Sequence, residues 1–120
     1  MKRLIIGRGI SGAAAESLAA RNGHQYLTVT DQENTPEELD WSKFDTAIVS
    51  PGVRPDSALL QAAQRSGLEI ISELEYGARH FKGVMLAVTG TNGKTTTVEL
   101  CTHLLKALYR QGAVSEAGNI

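Results

Sequence analysis

Short apolar runs alternate with helix-forming stretches along most of the chain, and this alternation is what most constrains its fold. The runs occupy residues 4–6, 26–30, 46–49 and 68–72, and each ends at or beside a turn-forming glycine, aspartate or serine. Strands that are separated by helices pair in parallel, and each crossover places a helix on one face of the sheet. The sequence therefore predicts an α/β fold with a doubly wound parallel sheet.

The stretches between the runs carry the boundary signals of helices. Residues 13–21 are rich in good helix formers and close at an Asn-Gly pair, and a single helical turn is expected after Pro36. The segment PDSALLQAAQRSG predicts a further helix, with Asp56 or Ser57 as its N-cap. Three side chains of this helix are expected to face the core: Leu59, Leu60 and Ala63.

The pattern changes after the fourth run. The segment ELEYGARHFKG predicts a short helix with one apolar stripe, formed by Leu74, Ala78 and Phe81. Beyond it, a strand is predicted at residues 84–88, then a glycine loop, a helix at about residues 94–109 and a weak strand at residues 113–115.

These elements divide the chain into two expected domains, residues 1–83 and residues 84–120. One strand, one helix and part of another strand cannot bury both faces of a sheet. We therefore expect the second domain to be truncated and the chain to be a piece of a longer protein.

Composition excludes several classes of protein. Hydrophobic residues make up 42% of the chain and charged residues 21%, the balance of a folded globular protein. Twelve basic against thirteen acidic side chains give no general attraction for nucleic acid or anionic membranes. Cys101 is the single cysteine, so an internal disulfide is excluded, and no apolar run approaches the roughly 20 residues of a membrane span. Glycines interrupt the N-terminal segment where a signal peptide is apolar, so we expect a cytoplasmic protein.

The first glycine loop reads GRGISG, residues 7–12, and matches G-x-G-x-x-G between a strand and a helix. In a Rossmann-like domain these glycines allow backbone amides to approach a diphosphate. Asp31 ends the next strand, where an acid can meet a ribose or simply form a turn. Arg8 is either solvated or lies over a phosphate. Alone, this loop favours a dinucleotide, although a tight turn without a ligand gives the same pattern.

A third short segment, Ser50-Pro51-Gly52, follows the run at residues 46–49. The carboxyl ends of parallel strands open toward a common crevice. These residues are therefore either part of the same ligand site or a simple turn.

The second glycine loop reads TGTNGKTT, residues 89–96. It follows an apolar run and precedes a helix, with lysine and threonine placed as in a P-loop. Val88 stands where the generic P-loop pattern has its first glycine. The remaining features fit a phosphate cradle, so we expect ATP or a relative to bind here. A nicotinamide enzyme does not need this second loop, whereas an ATP-driven ligase needs a nucleotide site and a separate substrate site.

The segment TGTNGKTT resembles the ATP-binding loop of the Mur ligases and of the related folylpolyglutamate synthetases. The Mur ligases build the peptide of bacterial peptidoglycan precursors. The folate enzymes lack an N-terminal GxGxSG unit. The ordered set GRGISG, DTAIVSPGV, ISELEY and AGNI is similar to the D-glutamate-adding members of the Mur ligase family, over the whole chain. The resemblance implies a domain that holds a uridine diphosphate sugar, followed by the opening of a P-loop ATPase domain.

The resemblance also assigns individual positions. The residues that match the family's UDP-substrate site are Gly9, Ile10, Ser11, Gly12, Asp31, Ser50, Pro51, Gly52 and Asn119. The residues that match its ATP loop are Gly90, Thr91, Asn92, Gly93, Lys94, Thr95 and Thr96, with Lys94 on the phosphates and Thr95 or Thr96 toward Mg²⁺. Gln32 and Glu33 depart from the family, where a better uracil platform is expected, and the stretch at residues 32–45 is shorter than usual.

The implied reaction forms an amide at the expense of ATP. In the family, the carboxylate of UDP-N-acetylmuramoyl-L-alanine attacks the γ-phosphate, and the amine of D-glutamate displaces the resulting acyl phosphate. The family's further Mg²⁺ ligands and its amino-acid-binding domain have no counterpart in these residues, so we expect binding without turnover. Two alternatives stay open: a regulatory module that binds NAD or another nucleotide, and a sister Mur ligase that adds a different amino acid.

Overall fold

A computed structural model describes residues 2–109 and 112–117, without the side chains of Ile10 and Ser11. The contacts within the chain divide it into two compact units, Met1–Phe81 and Lys82–Ile120. None of the described helices is both long and apolar enough to cross a membrane.

The first unit contains four strands and three α-helices. The strands are β1 (Lys2–Ile6), β2 (Tyr26–Val29), β3 (Phe44–Val49) and β4 (Glu69–Ser72), and the helices are α1 (Ile10–Arg21), α2 (Ala58–Arg65) and α3 (Glu73–His80). Two short 3-10 turns, Pro36–Glu38 and Trp41–Lys43, lie between β2 and β3. The predicted turn after Pro36 is confirmed, and the N-cap of α2 is Ser57 rather than Asp56.

The four strands form one parallel sheet in the order β2-β1-β3-β4. The chain runs outward from β1 to β2 and then returns across β1 to build the other half of the sheet. The strand order therefore reverses between β1 and β3. Loops that leave neighbouring strands on opposite sides of such a point leave a crevice at the carboxyl ends.

Helices cover both faces of the sheet, which confirms the doubly wound arrangement. Successive residues of a strand point to opposite faces, and Leu4, Ile5 and Ile6 of β1 are all fully buried. On one face, Leu4 and Ile6 pack with Leu59 and Ala63 of α2. On the other face, Ile5 belongs to a second core cluster that includes the following side chains of α1 and α3: Ala15, Ala19 and Tyr76.

The predicted stripe of α3 is wrong. The side chains of Leu74 and Phe81 are 58% and 56% exposed, whereas Tyr76 is 2% exposed and packs in the core. Ser72 ends β4 and caps α3 by accepting a hydrogen bond from the Glu75 N–H. Since the strand leads directly into the helix, this cap fixes which face meets the sheet. In α2, Leu59 and Ala63 are buried as expected, but Leu60 is only half-buried.

Tyr76 also ties α3 to the loop between α1 and β2. Its hydroxyl oxygen lies 2.8 Å from Nδ1 of His24, and the ring of His80 packs edge-on against the Tyr76 ring. Burial, followed by the charges of Arg3 and His80, lowers the pKa of His24 below its ordinary value. The shift favours the neutral form of the His24 imidazole in this contact.

The second unit contains the helix α4 (Lys94–Leu108), which agrees with the predicted helix. The strands predicted at residues 84–88 and 113–115 are wrong, because both segments are irregular. A strand exists only through hydrogen bonds to a neighbour, and the described residues of this unit offer none. Val84 is 92% exposed and Leu86 is 70% exposed, so the apolar run lacks the burial on which its prediction rested.

Two glycines allow α1 to pack closely on the end of β1. A Cβ atom on Gly12 would lie 2.9 Å from the carbonyl oxygen of Gly7, which is closer than real Cβ contacts. Gly7 has a φ of +107°, and a Cβ on it would lie 2.7 Å from Cβ of Ser50. The first turn of α1 therefore packs against the loop, and the loop packs against the turn after β3, without room for a side chain at Gly7 or Gly12.

This packing gives opposite predictions for two helical glycines. Gly12→Ala is expected to lower the free energy of unfolding by about 1–3 kcal/mol, because its methyl group meets backbone. Gly77→Ala in α3 is the matched control, since the space that its methyl group would enter is open to a radius of 4 Å. That change should stabilise by about 0.5–1 kcal/mol through helix propensity. Urea unfolding monitored by the fluorescence of Trp41 measures both, and a stabilising Gly12→Ala would contradict the packing described here.

Candidate functional site

A crevice of about 1000 Å³ lies at the carboxyl ends of β1, β2 and β3. Its walls come from four segments of the first unit: residues 6–8, residues 30–36, Ser50 with residues 52–54, and residues 56–58. The position agrees with the reversal of strand order between β1 and β3, where ligands bind in open α/β sheets. Three predicted site residues line it: Asp31, Ser50 and Gly52.

The first glycine loop forms the wall nearest α1. Gly7 and Arg8 line the crevice, and the Gly7 N–H donates to the carbonyl of Val29 at 2.9 Å. Gly9 is the N-cap of α1, whose first turn has neither a side-chain cap nor an acidic residue. The N–H groups of a helix start are unsatisfied within the helix and carry partial positive charge. The start of α1, which follows this wall in the chain, therefore suits an anion.

Asp31 has a structural role that its position in the sequence only partly suggests. Its carboxylate accepts a hydrogen bond from the Ser57 hydroxyl at 2.6 Å and another from the Leu59 N–H at 3.2 Å. Both oxygens thus engage the N-terminus of α2, where a negative charge is favourable. Asp31 is a predicted ligand contact, and in the structure it fixes α2 against the end of β2.

Ser50 supports the first glycine loop. It is 8% exposed, and its N–H donates to the carbonyl of Ile6 at 3.0 Å. Its hydroxyl donates to the carboxylate of Glu73. The other two residues of the predicted triplet, Pro51 and Gly52, are exposed in the same turn.

Glu73 contacts the lining residue Ser50, and sequence reasoning missed this supporting residue. It is the first residue of α3, and one of its carboxylate oxygens is buried without a hydrogen-bond partner among the described residues. The segment ISELEY contains it, and its place directly after β4 was the available signal, because β4 is parallel to the other strands and ends at the same edge of the sheet. Glu73 orients the hydroxyl of Ser50 under the loop.

Two ion pairs lie on the rim of the crevice. Nη1 of Arg8 lies 3.0 Å from each carboxylate oxygen of Glu33, and Nε of Arg54 lies 3.2 Å from Oδ1 of Asp56. With Asp31, the lining residues carry two positive and three negative side chains. Both arginines of the lining are therefore paired with carboxylates.

The second glycine loop lies in the other unit. Gly90 has a φ of +150° and Gly93 has a φ of +77°, so both adopt backbone conformations that favour glycine. Gly93 is the N-cap of α4, whose first turn has no side-chain cap and no acidic residue. Lys94 and Thr95 begin the helix with exposed side chains.

The other predicted residues of this loop, Thr91, Asn92 and Thr96, are also exposed. Across residues 2–109 and 112–117, no group of three or more His, Cys, Asp or Glu side chains could hold a metal ion. Asn119, the remaining predicted substrate residue, lies outside the described residues.

No protein-family model matches the chain. Curated proteins named UDP-N-acetylmuramoylalanine--D-glutamate ligase do match it. The protein of Aquifex aeolicus is 39% identical over 100% of this chain, and that of Acidobacterium capsulatum is 36% identical over 99% of it. The chain belongs to the Mur ligase family. It corresponds to the N-terminal part of these Mur ligases and spans 29% and 30% of the length of the two relatives.

The cap formed by Asp31 predicts a measurable loss of stability. Asp31→Asn removes the negative charge of the carboxylate that accepts two hydrogen bonds at the start of α2. The free energy of unfolding should therefore fall by about 1–2 kcal/mol. Asp56→Asn is the matched control, because Asp56 is exposed and was the other candidate cap. It should change stability by about 0.5 kcal/mol or less. Equal losses for both variants in urea unfolding would remove the structural role assigned to Asp31.

Proposed function

We propose that the chain carries the uridine diphosphate sugar site and the opening of the ATP site of a ligase that adds D-glutamate to UDP-N-acetylmuramoyl-L-alanine. The observation that carries this proposal is the match, along the whole chain, to proteins named for that reaction. Residues 1–83 then form the UDP-sugar domain, and residues 84–120 form the beginning of a P-loop ATPase domain.

The crevice supports the first part of the proposal by its place and its chemistry. The uncapped start of α1 offers backbone N–H groups to a diphosphate, and Gly7 adds no side chain to the loop at the end of β1. The proposed contacts are Gly9, Ile10, Ser11 and Gly12 for the diphosphate, Ser50, Pro51 and Gly52 beside it, and Asp31 near the uracil, with Asn119 facing the diphosphate. Asp31 acts there by holding α2, since both its oxygens are already bonded.

The second loop supports a site for the phosphates of ATP. Two positive-φ glycines and the uncapped start of α4 fit a phosphate cradle, and the exposed side chain of Lys94 can neutralise transferring charge. Mg²⁺ would accompany ATP, with the hydroxyl of Thr95 as the ligand from this chain. Mg²⁺ that is bound with a nucleotide takes oxygen ligands from the phosphates and water as well as from the protein.

The proposed chemistry converts a carboxylate, which is a poor electrophile, into an acyl phosphate. The carboxylate oxygen bonds to the γ-phosphorus as ADP leaves, and the amine of D-glutamate then displaces phosphate to form the amide. Lys94 and the loop amides of residues 90–95 stabilise charge on the transferring group. We propose that the other groups needed for the reaction belong to the rest of such a ligase and that the 120 residues bind without turnover.

Calorimetric titration of the chain tests this proposal. UDP-N-acetylmuramoyl-L-alanine and UDP should bind, and NAD should bind more weakly or not at all. Preferential NAD binding would instead identify a dinucleotide-binding regulatory module. A sister Mur ligase would bind the same uridine ligands. That alternative is tested by comparing amide formation by a complete protein with D-glutamate and with other amino acids.

Lys94 provides a second test at the other loop. Lys94→Ala should weaken ATP binding about tenfold or more, because a charged hydrogen bond to phosphate is lost. Lys106→Ala is the matched control, since Lys106 is a lysine in the last turn of the same helix, far from its start. Equal effects of the two changes would contradict the ATP site.

A further inference from the structure

We propose that Glu33 competes with the phosphate groups of a ligand for Arg8. Glu33 holds Arg8 in an ion pair across the mouth of the crevice, and a phosphorylated ligand must displace Glu33 in order to bind Arg8. This inference rests on the proposed function, because it concerns how the UDP ligand enters that site. It assigns Glu33 a role in selecting ligands by their phosphate charge.

The ion pair joins two different walls of the crevice. Arg8 belongs to the glycine loop after β1, and Glu33 belongs to the turn after β2. Both carboxylate oxygens lie 3.0 Å from the single nitrogen Nη1. Arg8 precedes Gly9, the N-cap of α1, so it stands next to the helix start that suits an anion.

The charges of the other lining side chains make the ion pair of Arg8 and Glu33 important for binding a diphosphate. Asp31 is engaged with α2, and Arg54 pairs with Asp56. A diphosphate therefore meets an excess of carboxylates among the lining side chains, and exchange of a partner provides it with an arginine whose charge no carboxylate offsets. Of the two arginines, Arg8 is the one that stands beside the start of α1.

The backbone of Glu33 remains in place without the ion pair, because hydrogen bonds to Thr30 hold its turn. The Glu33 N–H donates to the carbonyl and to the hydroxyl oxygen of Thr30, each at 3.2 Å, and the Asn34 N–H donates to the same carbonyl at 2.8 Å. Glu33→Gln preserves these bonds and changes only the charge. The variant thus isolates the competition from the shape of the crevice.

The pair is weak enough to be exchanged. The side chains of Arg8 and Glu33 are 54% and 56% exposed, and exposed pairs contribute little. The two oxygens share one nitrogen, whereas a guanidinium binds most strongly through a two-nitrogen fork. A phosphate group can engage that fork and displace the carboxylate, whereas uridine without phosphate has no charge with which to do so.

The test is calorimetric titration of UDP and uridine into the wild-type chain and its variants. Glu33→Gln should tighten UDP binding about two- to fivefold, the free energy range of an exposed ion pair, and should leave uridine binding unchanged. In a protein that also carries Arg8→Gln, the change Glu33→Gln should no longer tighten UDP binding. Asp56→Asn is the matched control, because it removes the same charge from the rim while leaving Arg8 with its partner. It should give a smaller gain than Glu33→Gln.

The outcomes separate the inference from the proposed function. If UDP binds the wild type and Glu33→Gln binds it no more tightly than Asp56→Asn does, the inference is wrong and the proposed function stands. A gain that persists without Arg8 also overturns the inference, because it would come from general electrostatics. If neither the wild type nor any variant binds UDP, the proposed UDP site and the inference fail together.

Discussion

The close approach of α1 to the end of β1 is the constraint on which the rest of the crevice depends. Gly12 rests on the carbonyl of Gly7, and Gly7 in turn rests on Ser50, with no side chain between them. This stack fixes the helix start at the edge where the parallel strands end. Because α1 has no side-chain cap, its first N–H groups stay available for a ligand. The packing thus sets the position of the helix start, and the glycine at the N-cap leaves that start without a side-chain cap.

Long-range hydrogen bonds hold the other walls of the crevice. Asp31 joins the end of β2 to α2, and Glu73 joins α3 to the turn after β3 through Ser50. The arginines on the rim are paired with neighbouring carboxylates. A ligand of the proposed kind would therefore have to exchange partners with these carboxylates, and its affinity would depend on how firmly each carboxylate is already held.

Local sequence signals predicted the elements of the first unit well. Apolar runs, glycine turns and Ser57 as a cap are properties of neighbouring residues, so the sheet and its helices follow from them. Partners that lie far apart in the chain left no such signal. Asp31 and Ser57 are 26 residues apart, and Arg8 and Glu33 are 25 residues apart. The strand expected at residues 84–88 failed for the same reason, since a strand depends on neighbours that its own sequence does not specify.

The central claim is that the crevice at the ends of β1, β2 and β3 receives the uridine diphosphate sugar. Amide chemical-shift mapping of the chain during titration with UDP-N-acetylmuramoyl-L-alanine tests it most directly. We expect saturable shifts at residues 7–9 and 31–34 and at Ser50, Gly52 and Val53. Shifts confined to the second glycine loop, residues 89–96, would contradict the claim, because the substrate would then occupy the loop assigned to ATP.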